Sequence, residues 1–143
     1  MNTLSQILAG KPQEVISVRP SDSVLVALEV LASYNIGAVP VLSAQGLVGI
    51  FSERDYARKV ALKGLTSAAT EVSEVMSSPV VSVKISDTVL DCMNLMTDRR
   101  IRHLPVLDKG QLVGIVSIGD LVRAIIEDQQ FQIEQLESYI ANA

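Results

Sequence analysis

Residues 15–60, VISVRPSDSVLVALEVLASYNIGAVPVLSAQGLVGIFSERDYARKV, are followed at residues 80–125 by VVSVKISDTVLDCMNLMTDRRIRHLPVLDKGQLVGIVSIGDLVRAI. The two stretches align without a gap at a constant offset of 65, and 18 of their 46 pairs are identical. Two unrelated stretches held at one fixed offset would not agree so often. A unit of this length cannot easily bury its own apolar faces, so the two copies are expected to share one core. A seam between two such copies has pseudo-twofold symmetry and offers two related but non-identical clefts. Function is expected there.

Within each copy the pattern reads β-α-β-β-α. A β-rich run (Val15–Val18 or Val80–Val83) precedes Asp22-Ser23 or Asp87-Thr88, residues able to accept the free N–H groups of a helix start. Apolar positions at helical spacing follow: Val24, Leu28, Leu31 and Ala32, then Val89, Met93, Leu95 and Met96. Gly37 or Arg102 comes after the helix. Two hairpins are predicted next, Ala38–Leu42 with Leu47–Phe51 and Leu104–Leu107 with Leu112–Val116, each closed by a turn containing glycine. A second helix starts near Ser52 or Ser117. Upstream, Leu4-Ser5-Gln6-Ile7-Leu8 matches Val72-Ser73-Glu74-Val75-Met76, so a short helix precedes each unit. The expected divisions are an N-terminal segment (1–14), a first repeat (15–60), a linker with short helix (61–79), a second repeat (80–125) and a C-terminal helix (126–143). In that last helix Ile126, Ile133 and Ile140 recur every seven residues with Leu136 between them. This narrow stripe either lies on its own domain or forms a dimer contact.

Composition limits the function classes. Apolar residues make up 48% and charged residues 20%, with no Trp and only two Phe and three Tyr, so the core must be aliphatic. A net charge of −4 gives no basis for wholesale binding of nucleic acid or an anionic membrane. No apolar run approaches the ~20 residues needed to span a bilayer. The N-terminus lacks the pattern of a secretory signal, and a single cysteine fits a reducing compartment. A cytoplasmic location is expected.

With these residues in place, the chain resembles the CBS-domain pair, or Bateman module. Three features carry the resemblance: the duplicated unit, the entries Ala38-Val39-Pro40-Val41 and His103-Leu104-Pro105-Val106, and Gly-hydrophobic-hydrophobic-Ser-x-x-Asp. The last occurs as Gly49-Ile50-Phe51-Ser52-Glu53-Arg54-Asp55 and Gly114-Ile115-Val116-Ser117-Ile118-Gly119-Asp120. The wording is similar to stand-alone CBS-pair proteins of bacteria and plant organelles. The resemblance implies an α/β (α+β) fold of two tandem β-α-β-β-α repeats, pseudo-twofold and packed sheet to sheet, plus the C-terminal helix. It further implies an adenosine ligand (AMP first; ADP, ATP, NAD or S-adenosylmethionine as alternatives) and a homodimeric four-repeat disc. A separate effector protein would read the ligand state.

An adenosine nucleotide needs an apolar slot for its base, a carboxylate for its ribose diol, and a helix start with a hydroxyl and a cation for its phosphate. Ser-x-x-Asp at a strand-to-helix junction supplies several of these, although it is also an ordinary capping box. The resemblance further implies that each cleft joins the base-binding entry of one repeat to the Ser-x-x-Asp of the other. One cleft then combines Ser82, Val83, Ile101, Arg102, His103, Leu104 and Pro105 with Ser52, Arg54 and Asp55. The other combines Ser17, Val18, Ile36, Gly37, Ala38, Val39 and Pro40 with Ser117, Gly119 and Asp120. The first is rich in arginine, while the second has glycine at both corresponding places and no cation. A phosphate dianion is expected to prefer the first, although Glu53 would repel it there. Asp55→Ala is expected to abolish binding in that cleft and leave the fold intact. His103 is read as a phosphate contact or packed edge residue, and Cys92 as a buried structural thiol. Arg99 and Arg100 extend the basic stretch or form a solvated helix end. No nucleophile–base pair, metal cluster or Walker loop is found, so a binder is expected rather than an enzyme. The alternative is a structural or dimerisation module with vestigial clefts.

Overall fold

In the computed structural model, which describes residues 2–11 and 14–142, each repeat centres on one hairpin and one eleven-residue helix. The elements in chain order are α1 (Leu4–Ala9), α2 (Val24–Tyr34), β1 (Ala38–Ser43), β2 (Gly46–Ser52), α3 (Glu53–Tyr56), α4 (Val72–Val75), β3 (Val83–Lys84), α5 (Val89–Arg99), β4 (His103–Asp108), β5 (Gln111–Ser117) and α6 (Ile118–Ala141). Residues 12 and 13, within the expected N-terminal segment, and the terminal residues 1 and 143 lie outside the described ones.

Local chemistry sets the helix ends. The Ser23 hydroxyl accepts the Val26 N–H, and Thr88 forms a reciprocal capping box with Asp91. Asp22 and Asp87 instead accept the N–H groups of Arg19 and Lys84, at 2.8 and 2.9 Å. Both helices stop at a left-handed residue, Asn35 (φ 52°) and Arg100 (φ 55°). Arg99 thus closes the last turn of α5 and Arg100 is its C-cap.

The hairpins are near copies. Val39 pairs with Phe51 and Leu104 with Val116, and a register shift falls after Val41 and after Val106. The opening strands are shorter than expected. Val15–Val18 reduces to one parallel bridge, Val18 to Val41, and Val80–Val83 becomes the two-residue β3 beside Val106 and Leu107. Only Val18, Val83 and Lys84 reach ladder partners, because the chain crosses the hairpin edge briefly on its way to the helix.

The expectation of one shared core needs correction. There are two clusters, one per repeat, around Val39, Val41 and Phe51, and around Leu104, Val106 and Val116. What joins them is an exchange of leader helices. Leu4 of α1, which precedes the first repeat, is fully buried in the second cluster. Val72 and Val75 of α4, which precede the second repeat, are buried in the first. Each such side chain contributes roughly 1.5–3 kcal/mol by leaving water, so neither repeat is complete without the other's leader. The glycines Gly49 and Gly114 permit this packing. A Cβ on Gly49 would collide with Met76, and one on Gly114 would lie 2.7 Å from Leu8.

The symmetry fails after the second helix start. In the first repeat α3 has four residues and runs through a π-helical turn (Ala57–Ala61) to Gly64 at φ 70°. In the second, α6 runs unbroken for 24 residues. The Asn2 N–H donates to Asp128 at 3.0 Å, but every residue from 129 to 142 is exposed. The reading in which this helix lies on its own domain therefore fails beyond residue 128.

Candidate functional site

Both Ser-x-x-Asp turns fold as capping boxes at the strand-to-helix junctions β2–α3 and β5–α6. In each, the serine hydroxyl accepts the aspartate N–H and the carboxylate accepts the serine N–H. The helix starts are also tied to their own repeat. Glu53 N–H donates to Gly37 O at 3.1 Å and Ile118 N–H to Arg102 O at 2.8 Å.

The carboxylates differ in what else they meet. Asp55 Oδ2 also accepts the Ser52 hydroxyl, while Oδ1 accepts the Ser77 hydroxyl at 3.0 Å and pairs with Lys59 Nζ at 2.9 Å. Its side chain is 8% exposed, so this carboxylate is closed on all sides. Lys59 also donates to Val75 O. Asp55 thereby fastens α3 to the exchanged leader α4. Asp120 Oδ2 meets Lys11 Nζ at 2.7 Å, while Oδ1 accepts no hydrogen bond among the described residues. Lys11 Nζ also donates to Ile115 O at 2.9 Å, which leaves one ammonium N–H uncommitted among the described residues.

Beside this ion pair lies a seam cavity of about 470 Å³, within the range of small-molecule sites. Tyr34, Ile36 and Pro40 line it from the first repeat, and Gly114, Ile115 and Val113 from the second. Leu8 and Lys11 come from the N-terminal segment, with Glu14 and Asp108 adding acidic groups. Of the cleft expected to lack a cation, Ile36 and Pro40 line this cavity and Asp120 pairs with its lining residue Lys11, so the expected absence of a cation is corrected. The lysine escaped the repeat comparison because it precedes the gapless block. Ser77 and Lys59 were missed for a related reason: their partner is set by the leader exchange.

The other expected site residues separate by burial. Val18, Ala38, Val39, Val83 and Leu104 are core residues, so only their backbone can face a ligand. Val18 N–H is already spent on Pro40 O. Ser17 lines a separate open depression with Arg19 and Ser43. Arg54, Arg102 and Gly119 are exposed, and neither guanidinium makes a hydrogen bond or ion pair to the described residues. Ser82, Ile101, Ser52, Ser117 and His103 are half-buried. His103 crosses the seam: a Cβ on Gly37 would lie 3.4 Å from its ring and 3.2 Å from Glu53 Oε1.

Burial, and after it the Lys11 ammonium, lower the His103 pKa, with Asp120 and Glu53 opposing and Arg102 assisting. The ring is neutral at pH 7. Burial alone would raise the Asp120 carboxyl, but the Lys11 ammonium and the Ser117 N–H together hold it below the ordinary carboxylate range. Burial, then Asp87 and Asp91, push the Cys92 thiol up to about 11, so this fully buried group is no nucleophile at neutral pH. Among the described residues no cluster of three His, Cys, Asp or Glu side chains could hold a metal, and no helix is long and apolar enough to cross a membrane.

Comparison with known proteins agrees with this architecture. The CBS domain family matches residues 12–62 and 72–127, and the chain belongs to that family. It is 39% identical over 147 residues to the mitochondrial CBS domain-containing protein CBSX3 of Arabidopsis thaliana, covering 96% of this chain and 71% of the relative. Among solved structures, a protein with CBS domains from Burkholderia ambifaria MC40-6 superposes with a TM-score of 0.84 at 46% identity, covering 90% of this chain and 96% of that one. CBSX2, solved in complex with AMP, superposes with a TM-score of 0.67 at 30% identity, covering 82% and 91%.

Proposed function

We propose that the chain is a regulatory module that binds an adenine nucleotide at the repeat seam, AMP in preference to ADP or ATP. As a dimer, it transmits the ligand state to a separate protein. The cavity beside the Lys11–Asp120 pair carries this reading. Its apolar walls from both repeats suit the base, and the lining residue Lys11 has an N–H left for the phosphate among the described residues. Asp120, paired with Lys11, keeps Oδ1 without a hydrogen bond among the described residues and can accept a ribose hydroxyl. Glu14 and Asp108 in the same wall oppose further negative charge, which favours a monophosphate. The AMP complex of CBSX2 supports the ligand class. A ligand touching both repeats and the N-terminal segment has differential contacts with any state in which they shift, as a switch requires.

Asp55 supports a second reading for the arginine-rich cleft. With its oxygens taken by Ser52, Ser77 and Lys59, this cleft acts as a structural joint, and Arg54 and Arg102 remain as surface cations that can attract an anion. The preference order of the two clefts is therefore the reverse of the one expected from arginine content.

Thermal-shift measurements with AMP, ADP, ATP, NAD and S-adenosylmethionine test the proposal. AMP at about 100 times its dissociation constant should add about 2.7 kcal/mol, a rise of several degrees. Lys11→Gln should weaken AMP about tenfold, the worth of one charge-assisted contact, and leave adenosine unaffected. No shift with any of the five ligands would defeat the nucleotide reading in favour of a purely structural module.

A further inference from the structure

The exposed half of α6 carries Val122, Ile126, Ile133, Leu136 and Ile140 along one arc of the helix, with Gln129 in the same row. Ile126 is 59% exposed, Leu136 63% and Ile140 71%, and no other described residue covers them. Counting Ile126 as heptad position a places Ile133 and Ile140 at a, and Val122, Gln129 and Leu136 at d. We infer that this helix pairs with the same helix of a second copy as a parallel, in-register two-stranded coiled coil that begins on the domain and extends beyond it.

Three observations choose this occupant. Isoleucine at all three a positions, with leucine at the d position Leu136 and not isoleucine at any d, fits the two-stranded parallel pattern. Only that pairing sets Gln129 against its own copy, where two amides can bond each other. In an antiparallel coil a faces d, and Gln129 would meet an isoleucine. The charges exclude other partners. From residue 126 onward the helix carries Glu127, Asp128, Glu134 and Glu137 and no Lys or Arg. An anionic membrane or nucleic acid would be repelled. None of the four occupies the a/d row, and the one at a flanking position, Glu137, faces Gln132 of the other copy, so self-pairing meets no like charge. A projecting segment of about 14 residues is also marginal as a lone helix in water, so its order depends on a partner. Residues past 127 lie outside the CBS match, so this contact adds to the repeat fold rather than restating it. The inference rests on the two-copy assembly proposed above and specifies what joins it.

The test is oxidative cross-linking of the full-length chain at sub-micromolar concentration. Leu136→Cys is compared with Phe131→Cys, which lies 60% exposed on the outer side of the helix. The native Cys92 is fully buried and does not interfere. Leu136→Cys should form covalent dimers at least about tenfold faster than Phe131→Cys, because parallel d positions meet at disulfide distance. Equal rates, or cross-linking at neither site, overturn the coiled coil. Sedimentation of the wild type separates the two failures. A dimer without Leu136→Cys cross-linking rejects only the coil, whereas a monomer at all concentrations rejects the two-copy assembly as well. AMP binding is scored independently on the same samples.

Discussion

The two Ser-x-x-Asp turns share a sequence pattern, a backbone conformation and a capping box, yet one is sealed and the other open. Asp55 is enclosed by Ser77 and Lys59, groups brought to it by the exchanged leader α4 and by its own helix. Asp120 meets Lys11, which lines the seam cavity, and keeps one oxygen without a hydrogen bond among the described residues. The difference teaches that a duplicated motif divides its labour through its neighbours. One copy fastens elements together, and the other is, in the reading proposed above, the binding position.

The sharpest way to break this comparison is to remove each carboxylate. Asp55→Ala should cost about 2–4 kcal/mol in urea denaturation, since it deletes a helix cap and strands Lys59 and Ser77 half-buried. This departs from the expectation that the substitution leaves the fold intact. Asp120→Ala should cost only about 1 kcal/mol, the worth of the cap, because Lys11 regains water. It should nevertheless weaken AMP more than Asp55→Ala does, as read by calorimetry. Equal stability losses would erase the distinction between joint and site.

The electrostatic coupling of the open cleft sharpens the comparison at the next scale. The His103 pKa is lowered in the folded protein, so the unfolded chain binds this proton more tightly. Stability is therefore full above about pH 6.5, the ordinary imidazole value, and declines as the pH falls through and below it. The groups facing His103 are Lys11, Asp120, Glu53 and Arg102. His103→Gln should flatten the stability profile below about pH 6.5. Lys11→Gln should move the His103 titration upward, followed by NMR. A titration that ignored Lys11 would show that the lysine lies elsewhere in solution. Below the ordinary carboxylate range, loss of the Asp120 charge should remove a further increment, because its folded pKa is depressed. The smallest effect belongs to the helix caps: Arg100→Gly should stabilise by about 1 kcal/mol by relieving the left-handed backbone. Asn35, its counterpart, should gain less from the same change.

Much of this was legible in the sequence. The offset of 65, the Pro-Val entries and the Ser-x-x-Asp turns placed both hairpins, both capping boxes and the starts of α2 and α5 to within a residue or two, whereas the helix expected over 126–143 is the continuation of α6 from Ile118. Those features are local, and alternation, turn glycines and cap residues act within a few positions. The sequence match Leu4–Leu8 with Val72–Met76 even located the leaders, without saying which core each would enter. Lys11 carried no signal at all, since nothing adjacent to it resembles its partner Asp120, 109 residues away. The heptad in α6 was visible as a stripe, but its exposure was not.

From residue order alone came the duplicated β-α-β-β-α unit, the aliphatic core positions and the family resemblance, because periodicity and capping report the backbone's own preferences. Tertiary structure decided which leader completes which core, which aspartate is closed, where a cation stands, and that the last helix leaves the domain. Those outcomes depend on contacts across the pseudo-twofold seam. There, burial and Coulomb energy set by three-dimensional proximity outweigh any preference encoded nearby in the chain.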